Sequence, residues 1–392
     1  MKLATRMSRL GTETAFEVLV RARALEAQGR DVIHLEVGEP DFDTPANVIE
    51  AGVDALRNGW THYGPAAGQP DFRTAIANYL NTARGTNYDL NNIVVTPGGK
   101  PIMFFVILAL LEAGDEAIYP NPGFPIYESM INFTGATAVP APILEENDFA
   151  LDVDGLEALI TPRTKLLIIN SPSNPTGGVL NREEIAKIAE LAVKYDLTVM
   201  ADEIYAEILF EGEHVSIAAM PGMAERTIIL DGFSKTYAMT GWRLGYGAMP
   251  EEFAQVVANL MVNSNSCTNM ATQRAGLEAL TGPQDDVVKM VAAFRNRRKL
   301  IVDGLNAIDG ITCKLPKGAF YVFPNITGTG LQSKPFADYL LQDHGVAALS
   351  GTAFGSYGEG YLRLSYANSE ENLTKALERI AAAVEGARPN QA

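Results

Sequence analysis

Six short apolar runs punctuate the middle of the chain: Ile93–Thr96, Ala117–Tyr119, Leu166–Ile169, Leu197–Ala201, Thr227–Leu230 and Leu244–Gly247. They alternate with amphipathic stretches such as Arg182–Tyr195, where Ile185, Ile188, Ala189 and Ala192 recur at helical spacing. That rhythm predicts an α/β domain whose largely parallel sheet is buried on both faces. The longest apolar run, Ile102 to Leu111, reads as a buried helix and is too short to span a bilayer. Past about Thr281 the pattern changes. A long helical stretch through Phe294–Ile308 leads to Cys313–Phe323, then to Gly360–Ser365 and a closing helix near Asn372–Glu385, which together predict a smaller α+β domain. Arg388–Ala392 reads as a loose tail, and no internal repeat or low-complexity tract interrupts the chain.

At 392 residues the chain exceeds the usual single domain, so two domains sharing a large core are expected. With 47 acidic against 31 basic side chains the formal charge is −16, which argues against a nucleic-acid backbone or an anionic membrane as partner. Cys267 and Cys313 cannot build a disulfide framework, and neither lies in a zinc-type cluster. With no apolar signal core near Met1, a reducing cytoplasm is the expected location.

The chemistry concentrates in Ser234-Lys235-Thr236-Tyr237-Ala238-Met239-Thr240-Gly241-Trp242-Arg243. An amine such as Lys235 forms a Schiff base with an aldehyde, and an arginine eight residues on can grip a phosphate as a bidentate fork. Pyridoxal phosphate carries both groups. Two further elements point the same way: Ala201-Asp202-Glu203-Ile204-Tyr205, and Asn174 in Ser171-Pro172-Ser173-Asn174-Pro175-Thr176-Gly177. Asp202 follows an apolar strand, so its carboxylate should emerge at the strand's carboxyl end, where α/β sheets bind ligands. Together these motifs, from about Gly38 to Arg363, resemble the class I/II aminotransferases, pyridoxal-phosphate enzymes of fold type I.

The resemblance implies a large domain, 45–280, with a mostly parallel seven-stranded sheet between helices, and a small domain made of 1–44 together with 281–392. It makes Lys235 the Schiff-base lysine and the base that moves a proton between the substrate Cα and the cofactor's C4′. Asp202 would hold the proton of the pyridine nitrogen, while Tyr205 and Asn174 would bond the phenolic oxygen. Phe124, in Asn121-Pro122-Gly123-Phe124, aligns with the aromatic that stacks on the pyridine ring. The phosphate would lie at Gly99 and Lys100, where Thr96-Pro97-Gly98-Gly99-Lys100 opens a helix, with Ser234 and Arg243 completing the cradle. Gly232 stands where many relatives carry another hydroxyl, so one phosphate contact is missing or supplied otherwise. Tyr63 would reach in from the second subunit of a homodimer. Arg363, flanked by apolar residues in Tyr361-Leu362-Arg363-Leu364-Ser365, would bind the substrate α-carboxylate with help from the Gly38 backbone, a structural salt bridge being the competing account.

The implied reaction is a ping-pong exchange between an L-amino acid and a 2-oxo acid, with 2-oxoglutarate as acceptor. A β-lyase or synthase of the same fold is the nearest rival, because the cofactor serves those reactions too. A pyridoxal-phosphate-binding regulator would need an added basic DNA-binding module, and only about forty residues precede Gly38. Lys100 leans towards an acidic substrate, whereas Glu13 and Phe16 in Gly11–Phe16 leave aromatic and aliphatic donors open.

Overall fold

The computed structural model describes residues 1–387, so the loose tail expected at Arg388–Ala392 lies outside the described residues. Its centre is a seven-stranded sheet: β1 Ile93–Thr96, β2 Glu116–Asn121, β3 Thr137–Pro142, β4 Thr164–Asn170, β5 Thr198–Asp202, β6 Thr227–Gly232 and β7 Gly245–Ala248. The spatial order is β1-β7-β6-β5-β4-β2-β3. All neighbours pair parallel except β7, which runs antiparallel to both β1 and β6. Six strands lie where the apolar runs placed them. The seventh, β3, is an edge strand carrying Pro140 and Pro142 and only partly buried, so its sequence lacks the continuous apolar signature of a central strand.

Successive side chains in a strand point to opposite faces, and the core divides accordingly. Ile118, Leu167, Ile169, Val199 and Ala201 pack with Ile185 and Ile188 of the helix Arg182–Lys194 on one side. Tyr119, Leu166, Ile168, Met200 and Ile228 pack with Ile102, Phe105 and Val106 of the helix Lys100–Leu110 on the other. The helix at 182–194 starts where the sequence supplies a capping box: the Asn181 side chain accepts from the Glu183 and Glu184 amides, and Glu184 accepts from the Asn181 amide.

Beyond the sheet, Leu349–Ser350, Leu362–Ser365 and Tyr321–Val322 form a small antiparallel sheet in that spatial order. Ile33–His34 pairs parallel with Val346–Ala347, which ties the N-terminal segment to the C-terminal third. The helices Asp285–Asn306 and Glu370–Ala387 close a core of Phe294, Ile301, Phe320, Leu340, Leu364 and Leu373 with Ile33 and Leu35. Among the described residues no helix is long and apolar enough to cross a membrane.

Candidate active site

The carboxyl ends of the parallel strands open onto a cavity of about 490 Å³. All but one of the residues expected to hold cofactor or substrate line it: Gly38, Gly99, Lys100, Phe124, Asn174, Asp202, Tyr205, Ser234, Lys235, Arg243 and Arg363 meet there from widely separated parts of the chain. Tyr63 does not line the cavity of its own chain, and the residue is 89% exposed.

Asp202 is the last residue of β5 and is buried at the cavity floor. The Tyr127 hydroxyl donates to its Oδ2 at 2.6 Å and the Ile204 amide to its Oδ1 at 3.2 Å. Burial pushes the carboxyl up to about 6, while these two donors and the nearby Lys235 pull the other way. Strand alternation turns the next residue, Glu203, to the opposite face.

Lys235 projects from the turn after β6, and its ammonium donates to the Gly38 carbonyl at 2.5 Å. Burial, with Arg363 and Lys100 acting the same way, lowers its pKa to about 8 against the raising influence of Glu13 and Glu39. An appreciable fraction of this amine is therefore neutral near neutral pH, the form needed in a nucleophile or base.

Tyr205 stands edge-on to the Tyr321 ring, and the two hydroxyls share a 2.6 Å hydrogen bond. Burial raises both phenols, that of Tyr321 to about 12, so both stay protonated. Tyr321 also explains Gly38: a Cβ there would lie 2.0 Å from the Tyr321 hydroxyl oxygen. Arg363, on the strand Leu362–Ser365, is buried with its guanidinium 4.6 Å from the Tyr321 ring centroid and 5.1 Å from that of Phe354. It donates to the Glu36 carbonyl and, at 3.4 Å, to Asn174 Oδ1, while its Nε has no partner. No carboxylate among the described residues forms a salt bridge with it, so the competing account finds no partner. A buried guanidinium without a counter-ion lowers its own pKa through desolvation and invites an anionic ligand. Asn174 is fixed by Asn170, whose Oδ1 accepts from the Asn174 amide at 2.8 Å and whose Nδ2 donates to the Asp202 carbonyl at 3.0 Å.

At the other end, the helix Lys100–Leu110 begins without a side-chain cap. The first amides of a helix have no intrahelical partner, and they attract an anion. Gly98 holds φ +91°, and a Cβ on it would come within 2.3 Å of Arg243 Nη2. Arg243 itself takes the left-handed φ of 56° and donates to the Thr240 carbonyl at 2.7 Å, which aims the guanidinium back at this turn. A Cβ at Gly232 would approach the Gly245 Cα to 3.0 Å, so close strand packing favours glycine where a hydroxyl carrier was expected.

Near the cavity mouth Lys100 pairs with Glu13 at 2.5 Å, and its ammonium lies 5.4 Å from the Phe124 ring centroid and 5.8 Å from that of Phe16. Behind the sheet, on the side away from the cavity, Arg84 is buried against three carboxylates: Glu203 at 3.1 Å, Glu207 at 2.9 Å and Asp231 at 3.7 Å. Burial pushes Asp231 up to about 7, whereas His214 and Arg84 hold Glu203 below its ordinary value despite burial.

Sequence reasoning missed Tyr127, Tyr321 and Asn170. Tyr127 had one signal, its position one helical turn after Phe124, whose ring it meets edge-on at 5.7 Å. No group of three or more potential metal ligands occurs among the described residues.

The model of the family described as aminotransferase class I and II matches residues 30–380. The chain is 40% identical to an aspartate aminotransferase of Musicola paradisiaca over 97% of its length and 96% of that protein's. It is 40% identical to an aromatic-amino-acid aminotransferase of Thermococcus litoralis, over 90% of this chain and 92% of that one. The structure of an aspartate aminotransferase from Thermus thermophilus with maleate superposes with a TM-score of 0.94 at 39% identity, covering 98% of this chain and all of the other. Identity at that level along essentially the whole length, on the same architecture, makes this chain an enzyme of the class I and II aminotransferase family, fold type I.

Proposed function

We propose that the protein binds pyridoxal phosphate and transfers the amino group of an L-amino acid to a 2-oxo acid, with 2-oxoglutarate as the acceptor, in a ping-pong cycle. The observation that carries this reading is the placement, in one cavity, of a partly neutral amine (Lys235), a buried carboxylate (Asp202) and a buried guanidinium without a counter-ion (Arg363). The donor set fits the cofactor: uncapped helix amides with Ser234 and Arg243 for the phosphate, Asp202 for the pyridine nitrogen, Tyr205 and Asn174 for the phenolic oxygen, and Phe124 for the ring face. When bound, that group supplies an aldehyde for imine formation and an electron sink for the electrons released at the substrate Cα.

The chain's own residues do the rest. Arg363, assisted by the Gly38 backbone, orients the α-carboxylate and so fixes which Cα bond lies across the ring. Lys235 Nζ, once free, takes the proton from the substrate Cα and would deliver it to the cofactor's C4′, the movement running in reverse when the 2-oxo acid takes up the amino group. Asp202, kept ionised with the help of the Tyr127 hydroxyl, holds the ring-nitrogen proton. Tyr321 keeps the Tyr205 hydroxyl aimed. Aspartate and aromatic donors are the substrate classes acted on by the named relatives, and both fit a mouth that carries Lys100 beside Phe16 and Phe124.

The same reading includes a cytoplasmic homodimer in which Tyr63 completes the partner's phosphate site, and the two-domain division at 44/45 and 280/281. Its test is incubation of the holoenzyme with amino acids and 2-oxoglutarate. Glutamate should appear in step with the donor's oxo acid; ammonia and pyruvate instead would mark a β-lyase and overturn the proposal.

A further inference from the structure

Four cationic side chains line the cavity: Arg363, Arg243, Lys235 and Lys100. On the reading above, the first three serve the α-carboxylate, the phosphate and the imine. Lys100 is then the cation left for a second carboxylate on a substrate, and Glu13 already occupies it at 2.5 Å. Glu13 sits on extended backbone just before the helix Thr14–Glu26. The segment before it is exposed and held to the helix Ile126–Thr134 by few ties: Arg9 to the Asn132 and Phe133 carbonyls, and the Gly11 amide to Ser129 Oγ. Phe16 and Phe124 flank the ammonium, so the mouth offers a neutralised ion pair between two aromatic faces.

We propose that Glu13 is a specificity-determining residue, a tethered carboxylate that occupies Lys100, so that aromatic and aliphatic side chains enter with the pair intact and a distal carboxylate enters by displacing it. The proposal rests on the aminotransferase reading and deepens it. The Lys100 side chain is 47% exposed and that of Glu13 23%, and exposed ion pairs are weak, so displacement costs a factor of up to about five in affinity and does not exclude dicarboxylates. That suits a single pocket that must alternate between a donor and an acidic acceptor.

The test uses two unreactive probes on the pyridoxal-phosphate-loaded protein, maleate as dicarboxylate and 3-phenylpropionate as aromatic monocarboxylate, with dissociation constants measured by calorimetry. Glu13→Gln should raise the preference for maleate over 3-phenylpropionate by up to about five-fold. In a Lys100→Met background the same change should move that preference by less than half as much, the signature of two residues acting through one contact. A preference unchanged in Glu13→Gln, or an undiminished shift in the Lys100→Met background, would overturn the proposal. Failure of the parent reading shows separately, as absence of glutamate from any donor.

Discussion

Replacing Tyr127 by phenylalanine removes one hydroxyl and leaves the ring packing, which makes it a clean probe of the buried carboxylate at the cavity floor. The hydroxyl donates to Asp202 Oδ2 at 2.6 Å with both groups buried. A hydrogen bond to a charged acceptor contributes about 1.5–3 kcal/mol. Since one pKa unit corresponds to about 1.4 kcal/mol, its loss should raise the Asp202 carboxyl by roughly one to two units. The group already stands at about 6 because burial disfavours its ionised form. In Tyr127→Phe it should therefore titrate at roughly 7 to 8, leaving much of it protonated at neutral pH. The direct assay is infrared spectroscopy of the cofactor-free protein, following the protonated carboxyl band with Asp202→Asn as the subtraction reference. The functional counterpart is the acid limb of kcat/KM, which should move up in pH while kcat/KM falls at pH 7. A midpoint that stays in place, or moves down, would refute the claim that Tyr127 keeps Asp202 ionised.

Asp202→Asn makes the converse point about stability. Because burial raises this carboxyl from 3.8 to about 6, the folded chain holds its proton more tightly than the unfolded chain, so stability from this site falls as pH rises through that window. The cofactor-free variant should accordingly be more stable than the parent at pH 8, by up to about 3 kcal/mol in urea unfolding, with the gain shrinking towards pH 4, while its transaminase activity collapses. Lys235→Ala should leave no pyridoxyl tag on the peptide around Trp242 after borohydride treatment, and turnover should be close to nil. Arg363→Lys keeps the charge but loses the fork, and should raise KM for every amino donor by roughly ten-fold or more with a smaller effect on kcat; equal effects on both would argue against a role in binding the α-carboxylate.

Strands buried on both faces announce themselves as apolar runs, which is why the sheet was legible apart from its proline-bearing edge strand. The residues that line the cavity were legible where they sit in local motifs, as with Asp202 and Tyr205 on one strand end or Lys235 and Arg243 on one turn. Tyr321 and Asn170 were not, because their contribution comes from tertiary contact: the first meets a tyrosine 116 positions away, the second bridges Asn174 and the Asp202 backbone. The Glu13 contact with Lys100 spans 87 positions and likewise has no local pattern. Tyr63 does not line its own chain's cavity, and the role proposed for it lies in a second subunit.

The cluster around Arg84 has a consequence for how such an enzyme can diversify. One guanidinium fastens the end of β5, through Glu203, to the end of β6, through Asp231, from the side that substrates never see. The spacing between the carboxylate and the amine that face the cavity is thus riveted from behind. The mouth takes Glu13 and Phe16 from the lightly tethered N-terminal segment, so a change of diet need not disturb the machinery beneath it.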